Sequence, residues 1–153
     1  MSEHPIRPFT SGDGAYRWDR VEVTRYKEEG SAAFRDVTRQ TLFRRPDLRG
    51  ELRYFEVAPA GYSTLERHEH VHAVMILRGD GEALVGAEVF AVKTFDLVSV
   101  PPLTWHQFRA GASSSLGFLC MVDAERDKSQ LPAPGDLERL RADPAVAKFL
   151  DGR

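Results

Sequence analysis

A single cysteine, Cys120, stands among the 153 residues of this chain. That excludes an intrachain disulfide and any cysteine-rich zinc knuckle. Positive charge is not in surplus either. The chain has 21 lysines and arginines against 23 acidic residues, a net charge of −2, and no basic stripe, so nucleic acid is not expected as a partner. No apolar run approaches the ~18 residues that a membrane helix needs, and the first 18 residues contain no apolar signal core. No membrane partner and a cytoplasmic location are therefore expected.

What is present is ordinary for a globular domain, with 42% hydrophobic and 29% charged residues, enough for one real core. Residues 1–18 are polar and contain Gly, Ser and Asp, which predicts a flexible leader ahead of a single domain over 19–153. Short β-forming segments follow one another at 21–24, 34–43, 52–57, 73–77, 83–85, 89–92, 97–100, 107–109 and 116–122. Turn residues separate them, among them Pro59-Ala60-Gly61, Gly79-Asp80-Gly81 and Pro101-Pro102. Such a series, with no helical pattern between, predicts an all-β sandwich or small barrel. Only the tail changes period. Short helices are expected over 135–151, with Asp136 and Asp143 as N-caps and Pro144 in a first turn. Leu137, Leu140, Val146, Phe149 and Leu150 would pin them to the barrel exterior.

Four of the five histidines fall into two places. His68, His70 and His72 alternate, and His106 follows in Pro101-Pro102-Leu103-Thr104-Trp105-His106. On a β-strand, residues two apart share a face, so Glu66, His68, His70 and His72 would line one side of one strand. Neutral imidazole is the commonest metal ligand, and three or four imidazoles with a carboxylate suit several divalent ions. The alternative is a polar strand face turned to solvent. Three histidines in alternation, joined by a fourth, favour the metal. Cys120 lies in an apolar strand and reads as a core residue, with a thiol facing the pocket as the alternative.

These segments resemble the two motifs of the cupin superfamily. The first motif, Gly-x5-His-x-His-x3,4-Glu-x6-Gly, is matched over 59–81, with Gly79 as its anchor. In that frame His72 takes the place of the motif's Glu, His68 that of its second His, and Glu66 that of its first. His70 is an extra candidate on the same face. The second motif, Gly-x5-Pro-x-Gly-x2-His-x3-Asn, is matched over 95–110, where Phe95, Leu103 and Ala110 replace its two glycines and its asparagine. The resemblance implies a jelly-roll barrel holding one divalent transition metal ion (Fe, Mn, Ni, Cu or Zn). Its ligands would be His68, His72, His106 and either His70 or Glu66. It further implies a metal-dependent enzyme for a small-molecule substrate, first of dioxygenase type. A metal-dependent isomerase, lyase or hydrolase of a polar substrate is the second reading, favoured if the pocket proves rich in Arg, Lys and Gln. A non-catalytic binding barrel is the third, and a homodimer is expected of many cupins of this size.

Overall fold

The computed structural model describes residues 5–27 and 33–152. Eleven strands precede two helices: β1 (Phe9–Thr10), β2 (Arg17–Trp18), β3 (Val23–Arg25), β4 (Arg35–Phe43), β5 (Gly50–Tyr62), β6 (His72–Arg78), β7 (Asp80–Val85), β8 (Glu88–Lys93), β9 (Leu97–Val100), β10 (His106–Ala110), β11 (Leu116–Asp123), α1 (Pro134–Arg141) and α2 (Pro144–Asp151). Nine strands form one antiparallel sheet in the order β8-β7-β10-β5-β11-β6-β9, with β4 also on β5 and β3 on β4. The long strand β5 makes this curl work. It pairs with β4 on one side and, over residues 50–57, with β11 on the other, whereas at its last residue, Tyr62, Arg109 of β10 takes the place of β11. The change of partner follows the turn-prone Pro59-Ala60-Gly61, where Ala60 takes a left-handed φ of 63°. A side chain at position 61 would meet the Arg35 carbonyl oxygen at 2.6 Å, so glycine is needed there.

Alternation turns every second strand residue inward, and position along the strands then divides the interior into two ends. Val37, Val57, Ile76 and Leu116 close one end as an apolar core. Inward positions nearer the other end carry Arg39, Arg53, His72 and Cys120, which line a cavity of ≈ 160 Å³. Phe55, Phe108 and Phe118 form its aromatic wall, whereas Met75 and Phe90, of opposite parity, are exposed.

Two expectations change on the outer surface. The segment expected as a loose leader contains the β1–β2 hairpin. Tyr16 and Trp18 lie against the fully buried Tyr54, with ring centroids 6.0 and 5.0 Å away, and Gln40 Nε2 donates to the Tyr16 carbonyl at 2.9 Å. Aromatic burial on the sheet's outer face outweighs the polar composition of the segment. The first helix is capped by Ala133, and Asp136 sits inside it, its carboxylate accepting from the Ala133 N–H at 2.9 Å. Asp143 caps the second as expected, accepting from the N–H groups of Ala145 and Val146. Both helices pack by Leu140, Val146, Phe149 and Leu150 onto Leu65 and Leu84 of the barrel exterior.

Candidate metal centre

The four histidine-segment residues do not share one strand. Strand β6 begins at His72. Glu66 and Arg67 are isolated bridges, to His106 and Gln130, and the chain then bends through residues 69–70. Asp127 braces the bend. One carboxylate oxygen accepts from the Glu69 N–H at 2.8 Å, and the other contacts the His70 N–H at 3.1 Å and His70 Nδ1 at 2.6 Å. Burial alone would push Asp127 up, but these donors outweigh it and hold the carboxyl well below its usual range.

The bend separates the histidines by role. One ring nitrogen from each of His68, His72 and His106 lies within 4.8 Å of the others, whereas His70 stacks on His68 at 3.6 Å while its Nδ1 engages Asp127. Glu66 is buried and ion-paired with Lys27. His68 Nδ1 lies 2.7 Å from the His70 carbonyl and His106 Nδ1 lies 2.9 Å from the Thr104 carbonyl. A carbonyl oxygen can only accept, so both Nδ1 atoms carry hydrogen and both Nε2 atoms present lone pairs. His72 Nδ1 lies 3.2 Å from Cys120 Sγ, and its Nε2 points at His68 Nε2, 2.9 Å away.

This donor set fits a divalent cation. Metal–imidazole bonds of about 2.0–2.1 Å bring neighbouring ligand nitrogens to about 3 Å, the spacing of the His68 and His72 Nε2 atoms. Backbone carbonyls and a thiol occupy the other ring nitrogens, as orienting partners of metal-bound imidazoles do. Burial holds all three rings neutral. His106 falls to about 4 and His72 to about 2, with neighbouring imidazoles adding to the effect, and His68 is lowered by burial and by His70.

Comparison with known proteins agrees with this architecture. A family model described as "Cupin domain" matches residues 53–122. A relative from Rhodospirillum rubrum, named 1-methylthio-D-xylulose 5-phosphate methylsulfurylase, is 63% identical over 98% of this chain and 94% of its own length. This chain is a cupin. A crystal structure of a cupin-2 domain protein from the same organism superposes with a TM-score of 0.86 at 62% identity, covering 97% of this cupin and 98% of that chain. A cupin 2 conserved barrel domain protein from Rhodopseudomonas palustris gives 0.87 at 54% identity, covering 94% and 97%.

Both departures from the family's glycines have a visible consequence. Phe95 and Leu103 adopt left-handed φ angles of 75° and 54°, the conformation that the motif's glycines accommodate freely. Leu103 is held there by its N–H donating to the His68 carbonyl at 2.7 Å, which ties the second motif to the first. Gln107, beside His106, is buried and donates to the Ser63 carbonyl at 2.7 Å.

The cationic wall of the cavity was not legible as such. Lys27, Arg39, Arg53 and Arg126 all line it. Of the arginines nearest the motifs, Arg67 lies over Trp105 and bonds Gln130, and Arg109 reaches the Leu150 carbonyl of α2. Inward parity on β5, set by pairing with Cys120 on one side and Thr41 on the other, singles out Arg53.

Proposed function

We propose that this cupin is a metal-dependent enzyme acting at the methylthio group of a ketopentose 5-phosphate, the type of substrate named for its Rhodospirillum rubrum relative. The observation that carries this reading is the juxtaposition, in one cavity, of three neutral imidazoles and a wall of Lys and Arg side chains. A small, anionic, oxygen-rich molecule suits such a cavity. Cationic walls were also the feature that would favour a non-redox reaction of a polar substrate over a dioxygenase.

His68, His72 and His106 would hold the ion. A divalent ion bound there supplies Lewis acidity to a carbonyl or hydroxyl oxygen of the substrate. Glu66 sits beside His106 through their backbone bridge and is ion-paired with Lys27, so this pair is placed to move a proton at a carbon next to the ketone. Burial and the nearby Glu66 push the Tyr26 phenol far above its ordinary value. Tyr26 therefore serves as a hydrogen-bond donor and not as a base. Phe55, Phe108 and Phe118 exclude water from one side of the cavity.

The test is to incubate the metal-loaded protein with 1-methylthio-D-xylulose 5-phosphate and a small thiol, following the methylthio protons by NMR. Replacement of the substrate's methylthio signal by that of a mixed methyl disulfide with the added thiol, and by a new 1-methyl signal on the sugar phosphate, is expected in the wild type and abolished in His106→Ala. A signal unchanged with Mn, Fe, Ni, Cu and Zn would sink the proposal. The dioxygenase reading is second, favoured by the all-imidazole donor set, which suits a redox-active ion. Oxygen uptake with diketones or catechols is its measurement.

A further inference from the structure

We infer that Arg39, Arg53 and Arg126 form the seat for the substrate's phosphate group, beside the histidine cluster in the same cavity. This rests on the reading of the substrate as a sugar phosphate. The three guanidiniums converge from different parts of the chain, β4, β5 and the segment after β11. Their charge is poorly compensated. Glu51, 3% exposed, lies 3.7 Å from Arg53 Nε, 3.5 Å from Arg126 Nη1 and 3.6 Å from Arg44 Nε. One carboxylate is thus shared among three arginines, and it approaches none of these nitrogens within good hydrogen-bonding distance.

Two guanidinium nitrogens of this cluster lack a hydrogen bond. Nε of Arg39 and Nε of Arg53 are sealed from solvent and make no hydrogen bond among the described residues. A buried, unsatisfied cationic donor is costly unless something else completes it. The crowding registers at Arg126, which is lowered by burial and then by the charges of Arg53 and Arg39. Lys27, by contrast, has Glu66 as a partner. The surplus of positive charge therefore belongs to the arginines.

A phosphate monoester matches this arginine cluster in charge and in shape. It carries up to two negative charges and several acceptor oxygens, and planar guanidinium forks bind such oxygens in pairs. The Arg53 guanidinium lies over Phe55, its Cζ 5.0 Å from the ring centroid. Its Nη2 lies 3.7 Å from Cys120 Sγ, and that sulfur is 3.2 Å from Nδ1 of His72. One side chain thus separates the arginine seat from the imidazole cluster. A small molecule with a keto group at one end and a phosphate at the other would span both.

Titration calorimetry of the metal-loaded protein with D-xylulose 5-phosphate and with D-xylulose tests the assignment. The wild type is expected to bind the phosphate ester at least about tenfold more tightly, since each charge-assisted pair is worth roughly that factor. In Arg39→Gln and Arg126→Gln that preference should fall about tenfold, with D-xylulose affinity and metal content unchanged. Inorganic phosphate should compete with the ester in the wild type and not in the variants. Arg126 is partly exposed, so its variant preserves the fold if Arg39→Gln does not. Equal binding of ester and free sugar by the wild type, or full retention of the preference in Arg126→Gln, would overturn the seat. Loss of the preference in the variants, with no methylthio release by the wild type, would uphold the seat and remove only the proposed reaction.

Discussion

Nε2 of His68 and Nε2 of His72 lie 2.9 Å apart at the centre of the barrel's polar end. The His70 carbonyl fixes the tautomer of His68, so its Nε2 offers a lone pair. Only a proton on His72 or a cation between the rings makes that approach favourable. With a cation, His72 must carry its hydrogen on Nδ1, facing Cys120 Sγ.

Metal content follows from this relationship. The purified protein is expected to hold about one divalent transition metal ion per chain, lost in His72→Ala and in His106→Ala. Elemental analysis after reconstitution reads the outcome. His70→Ala should retain the ion, because the His70 ring is committed to Asp127. Loss in that variant equal to the other two would place His70 among the ligands.

With a cation bound, Cys120 Sγ would serve as the acceptor for the His72 Nδ1–H. Cys120→Val removes the acceptor while preserving an apolar shape, and should weaken metal binding by about tenfold or more. Cys120→Ser restores an acceptor and should recover most of the affinity. Competition with a chromogenic chelator measures both. Equal affinities in the valine and serine variants would refute the hydrogen-bond account.

Acid lability is the third expectation. His72 and His106 titrate far below the 6.5 of a free imidazole because burial disfavours their charged forms. Below about pH 6.5 the unfolded chain takes up protons that the folded chain refuses, so stability is complete above that pH and drains away as pH falls. Between about pH 7 and about pH 5 each ring should cost the metal-free protein about 2 kcal/mol. Urea unfolding across that range would show a falling midpoint, with a shallower fall in His106→Asn. A flat profile would refute buried neutral imidazoles.

Backbone strain gives a stabilising substitution. Phe95 holds a φ of 75° with 74% of its surface exposed, so its side chain contributes little packing. Left-handed backbone costs a non-glycine residue about 1–2 kcal/mol, partly offset by the extra freedom of glycine when unfolded. Phe95→Gly should therefore stabilise by about 0.5–1 kcal/mol, or about 2 °C in Tm by calorimetry. Phe95→Ala, which keeps the strain, should not.

The N-terminal hairpin carries weight that its composition conceals. Trp18 lies 5.0 Å from Tyr54, ring to ring, on the outer face of β5. Trp18→Ala should cost about 2 kcal/mol in urea unfolding. A cost within about 0.5 kcal/mol would mean that the hairpin is a loose leader after all.

The sequence by itself determined the barrel, its helical tail and three converging histidines. Alternating apolar residues, hairpin glycines such as Gly79 and the Pro101-to-His106 spacing are local signals, and local backbone geometry converts them directly into strands and turns. Period-two reasoning failed at His70 for a physical reason. Asp127, 57 residues away in sequence, captures the Glu69 and His70 amides and braces the bend that takes the chain out of the strand. A long-range hydrogen bond leaves no trace in local periodicity. The cationic wall was hidden for the same reason: Arg39, Arg53 and Arg126 are scattered in the chain and meet only when β4, β5 and β11 curl together. Ligand type could be read along the chain, but the pairing of imidazoles with guanidiniums in one cavity was decided by the fold.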